Sequence, residues 1–276
     1  MRPIIARVAA AIGLALGMTA PAHADWAVNM TKGVTPISHD VYELHMLIFW
    51  VCVIIGVAVF GAIVWSVIYH RKSRGAVAAQ FHESTTVEIV WTIVPFIILV
   101  GMAIPAAGVL VEMEDSGEPA LTVRVTGHQW MWEYEYVDQG VHFYSKLDTP
   151  RKAILNEQEK DKDYVLSVDH PLVVPVGRKI RFEQTSDDVI HSWWVPALSV
   201  KKDAIPGYVN VNWATIQKPG TYRGQCAELC GRGHGFMPIV VKAVPPDEFQ
   251  SWLKQHQQEQ AASAEGSDET VVAANQ

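Results

Sequence analysis

Two long apolar runs separated by a short basic segment occupy the first half of the chain, and a series of short, alternating runs fills the second. Residues 44–68 (LHMLIFWVCVIIGVAVFGAIVWSVI) and 89–111 (IVWTIVPFIILVGMAIPAAGVLV) are long enough, at about 1.5 Å of rise per residue, to cross a hydrocarbon core of roughly 30 Å. The pattern predicts transmembrane helices over 41–69 and 87–111, joined by a loop over 70–86. Pro95, Gly101 and Pro105 in the second run would break a helix in water but are tolerated in lipid. Basic residues His70, Arg71, Lys72 and Arg74 lie between the runs, while Asp40, Glu43, Glu112, Glu114 and Asp115 flank them outside. The positive-inside rule therefore places the loop in the cytoplasm and both outer segments, 25–40 and the region after the second span, in the periplasm.

Ahead of the first span, Arg2 and Arg7 precede an apolar stretch over 8–18 and small residues around His23, the layout of a cleaved export signal over 1–24. A first membrane helix is the competing reading, but the stretch is well short of the ~20 residues a span needs.

Beyond residue 118 the runs LTVRVTGHQWMWEYEYV, PLVVPVGRKIRFEQTS, VIHSWWVP, GYVNVNWATIQ, GTYRGQCA and FMPIVVKAV are rich in Val, Ile, Tyr and Trp. Proline and glycine punctuate them, which predicts one all-β sandwich or barrel over 118–245. The tail, 246–276, is polar; DEFQSWLKQHQQEQ has helical character, and the remainder of the tail lacks an apolar period and is expected to be partly disordered. Composition agrees with a membrane-anchored domain: 49% of residues are hydrophobic and 18% charged. The three cysteines, Cys52, Cys226 and Cys230, are too few for a disulfide framework, and Cys52 reads as a small apolar residue in the first span.

Chemistry concentrates in CAELCGRGHGFM, residues 226–237, where Cys226, Cys230, His234 and Met237 fall within one loop. Thiolate and thioether sulfur select copper, and one Cys, two His and a weak Met make a blue-copper site. His191, in VIHSWW, is the candidate second imidazole. An additional thiol, Cys226, is close enough to bridge two metals, which favours a dinuclear copper centre. Spacing leaves two competitors: a zinc site of two Cys and two His, which has no use for Met237, and a Cys226–Cys230 disulfide, which leaves His234 and Met237 unexplained.

GHQWMWEYEY, HSWWVPAL, KKDAIPGYVN and GQCAELCGRGHGFMPIVV, in this order behind a hairpin containing VEIVWTIVP, closely resemble bacterial cytochrome c oxidase subunit II. The resemblance covers residues 40–244. It implies a two-helix transmembrane hairpin followed by a cupredoxin-like Greek-key β-barrel in the bacterial inner membrane, with both termini periplasmic. It further implies a dinuclear copper centre (CuA) held by His191, Cys226, Cys230, His234, Met237 and the main-chain carbonyl of Glu228. The Glu228 carboxylate is implied to bind magnesium or manganese shared with subunit I.

The same resemblance makes Trp130 the residue that receives electrons from cytochrome c; by residue type alone it serves equally as a core aromatic. Met131 departs from the aromatic expected beside it. Glu88 matches a position near a proton-uptake mouth, although Thr85-x-x-Glu88 also reads as a helix capping box. Implied partners are subunit I, subunit III and a basic cytochrome c, with no nucleic acid. The β segment holds 15 acidic and 15 basic residues, so docking must depend on local clustering among Glu133, Glu135, Asp138, Asp148, Asp187 and Asp188.

The implied function is electron transfer from cytochrome c through the copper centre to subunit I, which reduces oxygen to water with proton pumping. No Cys-x-x-Cys-His motif occurs, so a separate haem protein is the expected donor. A copper-free quinol oxidase subunit would lack the 226–237 ligand set, which is intact here. Two other readings are the equivalent subunit of a copper-containing nitric oxide reductase and a tethered copper-delivery protein.

Overall fold

The computed structural model describes residues 29–80, 82–115 and 117–274, with side chains as far as residue 262. The expected export signal over 1–24 lies outside the described residues. Helix α1 (Pro36–Tyr69) starts at a reciprocal cap: Ser38 N–H donates to Thr35 Oγ1 at 3.1 Å and Thr35 N–H donates to Ser38 Oγ at 3.0 Å. Pro36 follows, at a position where its missing N–H costs nothing.

Helix α2 (Thr85–Glu114) runs through Pro95 and Pro105. Its expected capping box does not form, because Ser84 is the N-cap, Thr85 is already helical and no side chain caps the first turn. At the helix start Glu88 contributes a negative charge near the positive end of the helix dipole. Both helices extend beyond the predicted spans because capping and tethers to the β domain set their ends, whereas hydropathy marks only the apolar middle.

The helices leave most of their large apolar side chains uncovered, among them Phe60, Trp91 and Ile104. Cys52 is also exposed on α1. A surface this apolar requires lipid or other membrane helices as its surroundings.

Between α2 and the tail, two five-stranded sheets pack face to face. The first has the order β3 (Val141–Ser145), β2 (Met131–Tyr136), β1 (Leu121–His128), β5 (Lys179–Ser186), β8 (Asn210–Thr215). The second has the order β4 (Leu172–Pro175), β10 (Pro238–Val244), β9 (Gly220–Cys226), β6 (His191–Val195), β7 (Val200–Ala204). Pairs β1–β5 and β4–β10 are parallel and the others antiparallel. This is the cupredoxin-like sandwich expected from the sequence.

Period-two patterning explains the inner faces: β2 buries Trp132, Tyr134 and Tyr136, and β5 buries Ile180 and Phe182. Across the core, Trp193 of β6 packs on Phe182 at 4.9 Å between ring centres, and its Nε1–H donates to the Tyr134 hydroxyl at 3.2 Å. Tyr136 donates its hydroxyl to Val173 O at 2.6 Å, joining the two sheets. The buried polar atoms of Trp193, Tyr134 and Tyr136 thus keep partners, as a low-dielectric core demands.

Helix α4 (Pro246–Ala274) is continuous, and it buries Phe249 and Leu253 while Trp252 packs on Tyr136 at 5.3 Å. The short helix α3 (Arg151–Ile154) lies in the β3–β4 connection.

Hydrogen bonds tie the hairpin to the sandwich. Val34 N–H donates to Ala197 O at 2.9 Å, Gln217 N–H to Val34 O at 2.9 Å, Thr35 Oγ1 to Leu198 O at 3.2 Å, and Lys179 Nζ to Asp115 O at 2.9 Å.

Candidate metal centre

One end of the sandwich gathers the residues that carry chemistry. His191 opens β6, Cys226 closes β9, and the loop from there to β10 carries Cys230, His234 in a 3-10 turn and Met237. The loop is closed at its base, since Cys226 N–H donates to Met237 O at 3.1 Å, and Ala227 N–H ties it to Ser192 O of β6 at 2.9 Å. The two sulfurs stand 3.8 Å apart. Each has its own imidazole: His191 Nδ1 is 3.9 Å from Cys226 Sγ, and His234 Nδ1 is 3.6 Å from Cys230 Sγ. Glu228 O lies 3.4 Å from Cys226 Sγ, while the Glu228 side chain is exposed. His191, Cys226, Cys230 and Met237 are all buried.

A disulfide does not form, for both thiols are free and lie well beyond the roughly 2.05 Å of an S–S bond. His191, Cys226 and Cys230 place their donor atoms within 4.8 Å of one another, as a shared metal requires. Burial pushes the Cys226 thiol up, but hydrogen bonds from His191, the backbone at Ser192 and Glu228, and His234 outweigh it and lower its pKa. Cys230 moves the other way, raised by burial and by the neighbouring Cys226 charge. For His191, burial opposes the charged form, yet Cys226 and Asp188 raise its pKa overall. A soft, nearly dry donor set with one thiolate already favoured fits a thiolate-binding metal.

Above the loop lies the β1–β2 turn, Gln129 and Trp130, whose connecting peptide is cis. Trp130 is only half-buried; its indole Nε1–H donates to Cys230 O at 3.1 Å. That contact puts it against the ligand loop, at the edge of the core. Strand β1 also approaches closely, since a Cβ on Gly127 would lie 2.7 Å from His191 Cδ2.

Asp188 is an exposed carboxylate that also bonds a candidate ligand histidine. Its residue type groups it with the docking acids, but it holds His191 Nε2 at 2.9 Å and accepts from Gln129 N–H at 2.7 Å and Val189 N–H at 2.6 Å. Partial burial pushes its carboxyl up, and these hydrogen bonds, His191 first, hold it below the ordinary carboxylate value. A carboxylate on the far nitrogen of a ligand histidine fixes the ring and leaves Nδ1 directed at the centre. The three-residue spacing to His191 is the signal that could have found it.

Among the other acids, Glu133 pairs with His128 Nε2 at 3.1 Å, Asp187 stands 3.8 Å from His128 Nδ1, and Glu135 pairs with Arg124 at 2.8 Å. Strand register sets Asp138 at the far end of the β2–β3 hairpin from Trp130, because Tyr136 pairs with Val141 while Trp132 pairs with Ser145. Asp148 lies after β3 at the Trp130 end and is exposed. Glu88 is exposed in the first turn of α2, at the opposite helix end from the sandwich.

Residues 121–244 match the family described as cytochrome c oxidase subunit II, periplasmic domain, and residues 23–109 match the transmembrane domain of the same subunit. A probable cytochrome c oxidase subunit 2 of Rickettsia bellii is 36% identical over 229 residues, covering 83% of each chain. The Arabidopsis thaliana cytochrome c oxidase subunit 2 is 39% identical over 230 residues, covering 83% of this chain and 88% of its own. The crystal structure of the periplasmic domain of subunit II of the Bradyrhizobium japonicum cytochrome oxidase is 39% identical, covers 52% of this chain and 98% of that one, and has a TM-score of 0.47. With both halves matched in order, on a hairpin of apolar helices and a sandwich bearing paired thiols and imidazoles, this membrane protein with a periplasmic domain belongs to the cytochrome c oxidase subunit II family.

Proposed function

We propose that the centre holds two copper ions and that the chain passes electrons from cytochrome c to the catalytic subunit of the oxidase. The observation that supports this best is the pair of buried sulfurs 3.8 Å apart, each with an imidazole nitrogen on its own side. Cys226 and Cys230 would bridge, His191 and His234 would cap the two sides, and Met237 and the Glu228 carbonyl would complete the set. Bound there, the copper pair supplies one-electron acceptance and release. Zinc would use the thiols and imidazoles but gains nothing from a buried thioether, and Met237 is 1% exposed.

Trp130 would receive the electron from a haem protein docked on this end of the sandwich, with its hydrogen bond to Cys230 O as the link to the ligand loop. Exposed or rim acids at that end, Glu133, Asp148 and Asp187, would steer a basic donor. Asp138 is too distant along the hairpin to share their face, and Asp188, though exposed, already binds His191 Nε2.

The Glu228 carboxylate, exposed here, would join a magnesium or manganese site completed by subunit I; one carboxylate alone cannot form it. Glu88 would stand at a proton-uptake mouth on the cytoplasmic side. The chain would lie in the bacterial inner membrane with both termini periplasmic, alongside subunits I and III, in a complex that reduces oxygen to water and pumps protons.

Copper content and electron paramagnetic resonance on the copper-loaded chain test the reading. Two coppers per chain sharing one unpaired electron, lost together in Cys226→Ser or Cys230→Ser, are expected. A single copper with a mononuclear signal, or zinc retained in preference to copper, would overturn it.

A further inference from the structure

Gln129 is exposed beside Trp130, yet its polar groups are turned to the segments that supply the centre. It sits in the β1–β2 turn, and its two polar groups point in different directions. The side-chain amide Nε2–H donates to Cys230 O at 2.8 Å, the same carbonyl that accepts from Trp130 Nε1–H at 3.1 Å. Its backbone N–H donates to Asp188 Oδ2 at 2.7 Å, and the other oxygen of that carboxylate holds His191 Nε2 at 2.9 Å. One residue therefore touches both chain segments that supply the centre, the β5–β6 connection through Asp188 and the β9–β10 loop through Cys230.

We infer that Gln129 is a positioning residue, a clamp that sets Trp130 against the Cys230 segment while tying the same turn to His191. This rests on the proposed role of the centre in electron transfer. The geometry gives the clamp a reason to exist. Trp130 is half-buried and held to the ligand loop by one indole hydrogen bond, and the loop surface beneath it is a glycine: a Cβ on Gly233 would fall 2.3 Å from Trp130 Cδ2. A ring resting on glycine has no side chain beside it at that point to stop it sliding, so its place must be fixed by hydrogen bonds. The Gln129 amide supplies the second bond to the same carbonyl. It acts on the reaction only through Trp130 and the ligand segments, so its loss should leave the ligand count unchanged and alter the path to it.

Gln129→Met keeps length and removes the amide; Gln129→Asn retains an amide one methylene short and serves in its place should the methionine variant not accumulate. The first readout needs no copper. In the metal-free full chain labelled with 5-fluorotryptophan, one of the ten tryptophan resonances is assigned to Trp130 by its loss in Trp130→Phe. In Gln129→Met that resonance is expected to shift or broaden, while the signals of Trp91 and Trp252, far along the chain, stay in place. The second readout uses the assembled oxidase: kcat with cytochrome c falls about threefold to tenfold, the range one lost hydrogen bond spans, with KM and the copper content unchanged. An unmoved Trp130 resonance, or a change in KM with kcat intact, overturns the clamp. Failure of the electron-transfer reading shows separately, as Trp130→Phe leaving kcat untouched, and the fluorine signal still decides for or against the clamp.

Discussion

Glycine at 127 and at 233 decides how closely backbone approaches the centre. In Gly127→Ala the new methyl meets His191 Cδ2 at 2.7 Å, so the imidazole must tilt away from its sulfur; copper retention is expected to fall, checked by metal analysis after dialysis. Gly233→Ala displaces the Trp130 ring instead, and here copper should stay while turnover with cytochrome c drops, at a cost in stability of about 1–3 kcal/mol for overpacking. Asp188 carries a pH signature. Its native pKa is lowered, so the stabilisation it provides is present above the ordinary carboxylate value of 3.8 and is lost as pH falls through the native one. In the metal-free chain, the stability gap between wild type and Asp188→Asn, measured by denaturant titration, is therefore expected at neutral pH and to close on acidification below 3.8. The ligand side chains were legible because residue type and spacing express ligand softness directly. The roles of the two glycines were not, since each depends on what another segment brings to within 3 Å, and that of Asp188 shows in the sequence only as its three-residue spacing to His191.

Among the elements, helix ends and sheet contacts depend on a few buried polar bonds. Thr35 both caps α1 and bonds Leu198 O of the sandwich, so Thr35→Ala is expected to cost about 1 kcal/mol from the lost cap, seen as a lower thermal midpoint in detergent. Tyr136→Phe removes the hydroxyl that serves both Val173 O at 2.6 Å and Val173 N–H at 3.2 Å, leaving buried backbone groups without that partner at a cost of about 1–3 kcal/mol, measured by denaturant titration. The spans and the β character of 118–245 were readable from periodicity, because lipid and a half-buried sheet impose distinct repeats. The capping box at Thr85 misled by one residue: Ser84 took the N-cap, a shift that hydropathy does not register. The docking of the tail was not legible for a different reason. Phe249, Trp252 and Leu253 are too few to form an apolar period over 246–276, yet they suffice to dock α4 once Tyr136 and Phe143 present an aromatic surface.

For the molecule as a whole, the β domain has balanced charge, so donor affinity must come from the local field near Trp130, and KM for cytochrome c is expected to rise with ionic strength in steady-state assays. Neutralising Asp187 should weaken that dependence, whereas neutralising Asp138, at the far end of its hairpin, should leave it unchanged. The sequence by itself determined the apolar hairpin, the β class of the remainder and the identity of the soft donors, because hydrophobic period and ligand chemistry are local properties. Tertiary structure alone decided that Cys226 and Cys230 stand apart as free thiols, each beside an imidazole, and that the Gln129–Trp130 turn lies on their loop. Those facts arise where β1 and β9 end and β6 begins, and contacts between segments up to a hundred residues apart leave no trace in the spacing along any one of them.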